Sequence, residues 1–319
     1  MSTRPFRRRA GLAAAGLLAT AALFAAPAAL EAWGEVGHRL VGAAAAEALP
    51  PQMPAFFRRA GARLSYLNPE PDRWRDRGEQ RLDPALEGAT APDHFIDLEM
   101  IPADRRANAL AAPTRYRYAD TLRALGLDPS VVGLLPYRVV ELTQQLRVDF
   151  RNWRAAHDDS TRRWVEQRIV DDAGILGHYV ADGSNPAHTS VQYNGWTGPN
   201  PNGYATDRQF HGRFESGFVG AQIKAADVRA AIARAGGTPR AFPDVRRATL
   251  DYLIRTNVLV ERMYQLDKAS RFDSTNTSAE NRRVAADRLA AGAIMLRDLW
   301  WTAWVTSGDG SAAGIPVRK

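Results

Sequence analysis

Apolar residues in this chain recur at three- and four-residue intervals over long stretches, and no segment keeps the two-residue alternation of a half-buried strand. That spacing restricts the fold to packed helices. It is clearest over residues 245–266, where Asp244 offers an N-cap, and over residues 278–305, rich in Ala, Leu and Trp. Leu134, Val139, Leu142 and Leu146 place a helix over residues 131–154, and Ser160 offers a cap for the next, over residues 161–181. An Ala-rich helix over residues 36–49 ends at Pro50-Pro51, because proline lacks the N–H and disfavours helix in the residue before it. Further helices are expected over residues 54–64 and 210–224. Residues 69–92, with four Pro and two Gly, read as an irregular loop, Asn185-Pro186 as a break, and residues 194–203 as a loop. The expected class is all-α, a single-domain multi-helix bundle over residues 33–319.

Residues 1–32 read as a signal peptide. Arg4, Arg7, Arg8 and Arg9 form a basic start, residues 11–30 carry no charge, and small residues precede Trp33. The competing reading is an uncleaved anchor, since about twenty apolar residues span a bilayer. Cleavage before Trp33 would deliver an exported protein, periplasmic or secreted. Losing four Arg and Glu31 lowers the formal net charge from +7 to +4, a modest excess compatible with anionic substrates. There is no cysteine, so any zinc site must be built from His, Asp, Glu or backbone groups.

The six histidines are His38, His94, His157, His178, His188 and His211. His178 and Asp182 stand four apart on an expected helix and therefore share a face, as do His211 and Glu215. His188 follows just past the Asn185-Pro186 break, which can turn it back toward the first pair. One such pair is usually a surface contact; two pairs plus a neighbouring histidine suggest a metal site. Imidazole with carboxylate and no thiolate suits zinc, with manganese or iron as alternatives.

Trp33-Gly34-Glu35-Val36-Gly37-His38, Asp72 within PDRWR, His94-Phe95-Ile96-Asp97, the GHYVADGSNPAH run, and His211 with Glu215 follow one another in that order. Together they resemble the zinc-dependent nuclease and phospholipase C superfamily, which includes the fungal and plant single-strand-specific nucleases. The resemblance runs from Trp33 to Glu215 and implies three zinc ions. Asp72, His94, His178 and Asp182 would hold one. His188, His211 and Glu215 would hold a second. His38, Asp182 and the α-amine and carbonyl of Trp33 would hold the third, so that removal of the leader would activate the protein. His157 is left over as a surface residue.

The chemistry implied is phosphodiester hydrolysis by a zinc-bound hydroxide, with Asp72 orienting the attacking water and Arg75 contacting the phosphate. Phe95 would stack on a base and Asp97 would read its edge. The short Trp33–His38 spacing resembles the nuclease branch. Glu215 departs from it, because nucleases usually carry Asp there and FHGRFE looks more like a phospholipase C. The expected substrate is single-stranded nucleic acid, with lipid phosphodiesters as the alternative and a non-catalytic zinc-binding protein as a third reading. No protein partner is expected, and the chain should act as a monomer. Tyr193, Trp196 and Tyr204, between His188 and His211, would either border the site or pack their loop down.

Overall fold

A computed structural model describes residues 33–308, and these form helices, turns and loops with no strand among them. The leader assigned to residues 1–32 lies outside the described residues. Six helices frame the molecule: α1 (Gly34–Glu47), α2 (Gly61–Leu67), α3 (Leu135–Ala155), α4 (Asp159–Asp182), α5 (Val245–Asn257) and α6 (Ala279–Val305). The all-helical class read from apolar spacing is therefore observed. No helix among the described residues is long and apolar enough to cross a membrane.

Helix α4 is the central element. It packs along α3, receives α2 on one side and α6 on another, and α1 runs between α2 and α6. Phe57, Phe150 and Trp300 meet edge to face beneath these helices, all fully buried, and the Trp300 indole N–H donates to the Ala173 carbonyl of α4 at 3.2 Å. Two glycines let α4 come close to α2. A Cβ on Gly174 would stand 2.4 Å from Leu67 Cβ, and one on Gly177 would stand 2.2 Å from Asn68 Nδ2. Any larger residue would push Asn68 away from the helix.

Several local expectations change. Residues 69–92 are not an irregular loop but hold three short helices, Glu70–Arg73, Arg77–Leu82 and Ala85–Thr90. Their prolines sit at helix starts, where the missing N–H is harmless, and the Asp76 side chain caps the second by accepting from Glu79 N–H. Helix α4 begins earlier than expected because Asp158, not Ser160, is its cap, accepting the Thr161 N–H at 2.9 Å. The helix expected over residues 245–266 breaks after Asn257 and resumes as Val260–Ala269. At the break Asn257 turns its amide to the Thr189 carbonyl and the Glu99 carboxylate, which tethers the joint to the turn Pro186–Thr189.

The α3–α4 contact contains a buried carboxyl. Burial first, then the neighbouring Asp172 of α4, pushes Asp149 of α3 up to about 7. A carboxyl with a folded pKa above its unfolded value near 3.9 favours folding most below about pH 4, and that support is lost as pH rises toward 7. Asp149→Asn should therefore raise the melting temperature at pH 8, by about 1–2 kcal/mol of stability, and change little at pH 4. Equal shifts at both pH values would refute this.

Candidate metal centre

The site is assembled from five stretches of chain. Asp72 lies on the short helix Glu70–Arg73, His38 on the second turn of α1, and His178 and Asp182 on the last turns of α4. Helix α4 ends at Asp182, and the Asn185-Pro186 break becomes a tight turn, Pro186–Thr189, that carries His188. His211 opens a helical segment that widens into a π-helical turn, Arg213–Val219, and Glu215 sits within that turn.

His94 ends a 3-10 turn, Ala91–His94, and the extended backbone that follows it is held between two neighbours. The Ile96 N–H donates to the His188 carbonyl at 2.9 Å, and the Asp97 N–H to the Val132 carbonyl at 2.7 Å. Gly133, at φ 96°, allows the second contact: a Cβ there would lie 2.1 Å from the Phe95 carbonyl oxygen.

These side chains converge. Donor atoms of His38, His178 and Asp182 lie within 4.8 Å of one another, as do those of Asp72, His94 and His178, and those of His188, His211 and Glu215. Asp182 Oδ2 stands 3.2 Å from His94 Nδ1 and 3.3 Å from His178 Nε2. Its other oxygen stands 3.5 Å from His38 Nε2 and 3.9 Å from His188 Nδ1, which joins the groups into one cluster. All but His211 are nearly or fully buried, and His211 keeps 14% of its side chain exposed. His157 is exposed and plays no part.

The hydrogen bonds orient the rings for ligation. His178 Nδ1–H donates to the Asn68 carbonyl at 3.0 Å, His38 Nδ1–H to the Asn68 amide oxygen at 3.1 Å, and His188 Nδ1–H to the His94 carbonyl at 2.7 Å. Each turns its Nε2 toward the carboxylates, the pattern by which proteins fix the tautomer of a ligating histidine. Asp182 Oδ1, fully buried, accepts no hydrogen bond. His211 Nε2 and Glu215 Oε2 lie 2.7 Å apart without hydrogen-bond geometry, as two donors turned to a common point would. A buried, unsatisfied carboxylate oxygen among imidazoles is unfavourable without a cation, so the donor set fits a metal cluster.

The electrostatics follow from burial and charge density. Burial pushes His94 and His178 well below the usual imidazole range, with the neighbouring cations and rings adding to it. Burial also pushes Asp182 well above the carboxylate range, with Asp72 and Glu215 reinforcing it. For His188 burial is outweighed by Asp182 and Glu215, and the ring rises to about 9. Without a cation, protonation is thus favoured on Asp182 and His188 and disfavoured on His94 and His178.

A cavity of about 410 Å³ opens over the cluster, lined by Arg75, His94, Phe95, Asp97, His188 and Tyr193 among others. Arg75 forms a two-pronged pair with Glu87, at 2.9 and 3.0 Å, and its Nη1 lies 3.8 Å from Asp72. Asp97 is pushed up to about 7 by burial and by Glu99, with His188 opposing. Of the three loop aromatics, Tyr193 faces the cavity, its ring edge-on to His211 at 5.9 Å, whereas Trp196 and Tyr204 pack down on Tyr264. Trp33 is fully buried at a left-handed φ of 45°, donates its indole N–H to the Ala181 carbonyl at 2.6 Å, and accepts the Gly37 N–H at 3.1 Å. It therefore abuts the residue before Asp182.

Two supporting residues escaped the sequence reading. Asn68 orients two histidines at once, and Asn185 binds Glu215 while capping the turn that carries His188. Asn68→Ala should leave the fold intact but weaken metal binding by about 10- to 100-fold, as loss of an outer hydrogen-bond partner typically does. A competitive chelator titration measures this, and unchanged affinity would remove Asn68 from the design. No known protein family, characterised protein or solved structure matches this chain.

Proposed function

We propose that this chain is an exported zinc-dependent phosphodiesterase, and within that class a nuclease acting on single-stranded nucleic acid. The observation that carries the reading is the convergence of three adjoining imidazole–carboxylate groups beneath a cavity that Arg75 also lines. Asp72, His94, His178 and Asp182 would hold one zinc ion, and His188, His211 and Glu215 a second. His38, Asp182 and the Trp33 amine and carbonyl would hold a third. When bound, zinc supplies Lewis-acid polarisation of phosphate oxygens and lowers the pKa of the attacking water.

The chain's own groups do the rest. Glu87 fixes two edges of the Arg75 guanidinium and leaves Nη1 for a phosphate oxygen. Asp72, beside Arg75, orients the attacking water and takes its proton. Phe95, half-buried on the cavity wall, offers a ring for a base, and the Asp97 carboxyl offers a hydrogen-bonding edge. The substrate is then the chain's only required partner, and a monomer suffices.

The second reading is a phospholipase C, favoured by Glu215 at a position where nucleases usually carry Asp. Assays of the zinc-loaded mature protein on an oligonucleotide and on phosphatidylcholine separate the two. Metal content without turnover of a small chromogenic phosphodiester would instead indicate a non-catalytic zinc-binding protein. Phe95→Ala is expected to raise KM for the oligonucleotide by about 10-fold, the value of one stacked base, and to leave the small phosphodiester unaffected. Equal loss on both would take Phe95 out of base binding.

A further inference from the structure

A second cleft lies where the helix Ala225–Ala235 meets α5 and α6, and it encloses about 760 Å³. None of the proposed metal ligands lines it. One wall is apolar, with Phe242, Leu259, Ile294 and Met295. Four arginines also face it, Arg234, Arg240, Arg255 and Arg288, against only two carboxylates, Asp287 and Asp298.

Both carboxylates are already engaged. Asp287 binds Arg234 at 2.8 Å, and Asp298 binds Arg297 at 2.8 Å and the Arg240 backbone N–H at 3.2 Å. Arg255 and Arg288 make no hydrogen bond or ion pair with another described residue. Arg255 is exposed and water satisfies it, but Arg288 is half-buried in the cleft wall, where burial works against its charge. Tyr252 lines the same cleft, but its hydroxyl is committed to the Val180 carbonyl at 2.8 Å. Two cations thus line one cleft with no carboxylate in ion-pair contact: Asp287 favours the Arg288 charge through space but is itself bound to Arg234. A ligand anion would complete them, and a guanidinium fork matches a carboxylate or phosphate.

We infer that this cleft binds a small anionic amphiphile, its carboxylate or phosphate-monoester head between Arg255 and Arg288 and its hydrocarbon tail along Phe242, Ile294 and Met295. The volume falls in the range of small-molecule sites. A nucleic-acid strand fits less well, because it needs a track of cations and stacking rings, whereas the unpaired cations here are only two, in a cleft with an apolar wall.

Calorimetric titration of the zinc-loaded protein tests this, with the two arginine variants separating binding in the cleft from binding at the metal centre. Dodecanoate and dodecyl phosphate probe the two heads, and a neutral dodecyl maltoside probes the tail alone. The expected result is one site per chain with a dissociation constant of about 10 µM for an anionic amphiphile and at least about 100-fold weaker binding of the neutral one. The tighter of the two heads identifies the ligand as a fatty acid or a phosphate ester. Arg288→Met should weaken binding by about 10-fold or more, and Arg255→Gln, at an exposed position, by about 3- to 10-fold. Should Arg288→Met fail to fold, Arg255→Gln decides. No saturable anionic binding below millimolar concentration, or affinity unchanged in the folded variants, overturns the proposal.

Discussion

Replacing Asp182 with Asn is expected to strip metal from two of the three proposed zinc sites and to lower phosphodiester turnover by about a thousand-fold or more. Asp182 is the hinge of the cluster, with one oxygen toward His94 and His178 and the other toward His38. An amide offers one neutral oxygen where two charged ones are needed. The same change should have the opposite effect on the metal-free protein. There the carboxyl is buried beside Asp72 and Glu215, and burial holds it well above the usual carboxylate range. Its contribution to folding is greatest below its unfolded pKa and is lost as pH rises through the folded value. With chelator at pH 8, Asp182→Asn should melt higher than the parent; with zinc it should melt lower. Elemental analysis, a chromogenic phosphodiester and paired melting curves read all three. A variant with full metal content and full turnover would dismantle the proposed centre.

Chelation of the parent protein should lower its melting temperature by about 10 °C. A ligand present at a thousand times its dissociation constant stabilises the native state by about 4 kcal/mol, and a domain of this size moves by about 2–4 °C per kcal/mol. The gap between zinc-loaded and chelated melts should widen from pH 6 to pH 9. In the metal-free protein Asp182 and Glu215, overcoming burial, hold His188 up to about 9, so a proton competes with the metal below that pH. A gap that is absent, or that narrows as pH rises, would show that the cluster is held by protons alone.

The helical class was legible because its signal is periodic and sums over long segments. The donors were legible because i, i+4 spacing survives translation into structure: His178 with Asp182, and His211 with Glu215, do face one point. What escaped notice has a common cause. Residues 69–92 looked like a loop because Pro and Gly were weighed as breakers, yet proline in a first helical turn breaks nothing. The short helices Ala103–Leu110 and Arg115–Ala124 were passed over because few of their residues face the core. Asn68 carries no sequence signal at all, since its role arises from a close approach that depends on Gly174 and Gly177, more than a hundred positions away. Its importance exists only in the packed molecule.

The ring tautomers have one more consequence. With Nδ1–H of His38, His178 and His188 each bound to an oxygen, rotating any of these imidazoles would strand a buried donor. The rings would therefore be aimed before an ion arrives, and its capture would need no search among side-chain conformations. Ion uptake and exchange should then be governed by passage past Arg75 and Tyr193 at the cavity mouth, so that widening this gate speeds loading and unloading alike while leaving the equilibrium between them where it was.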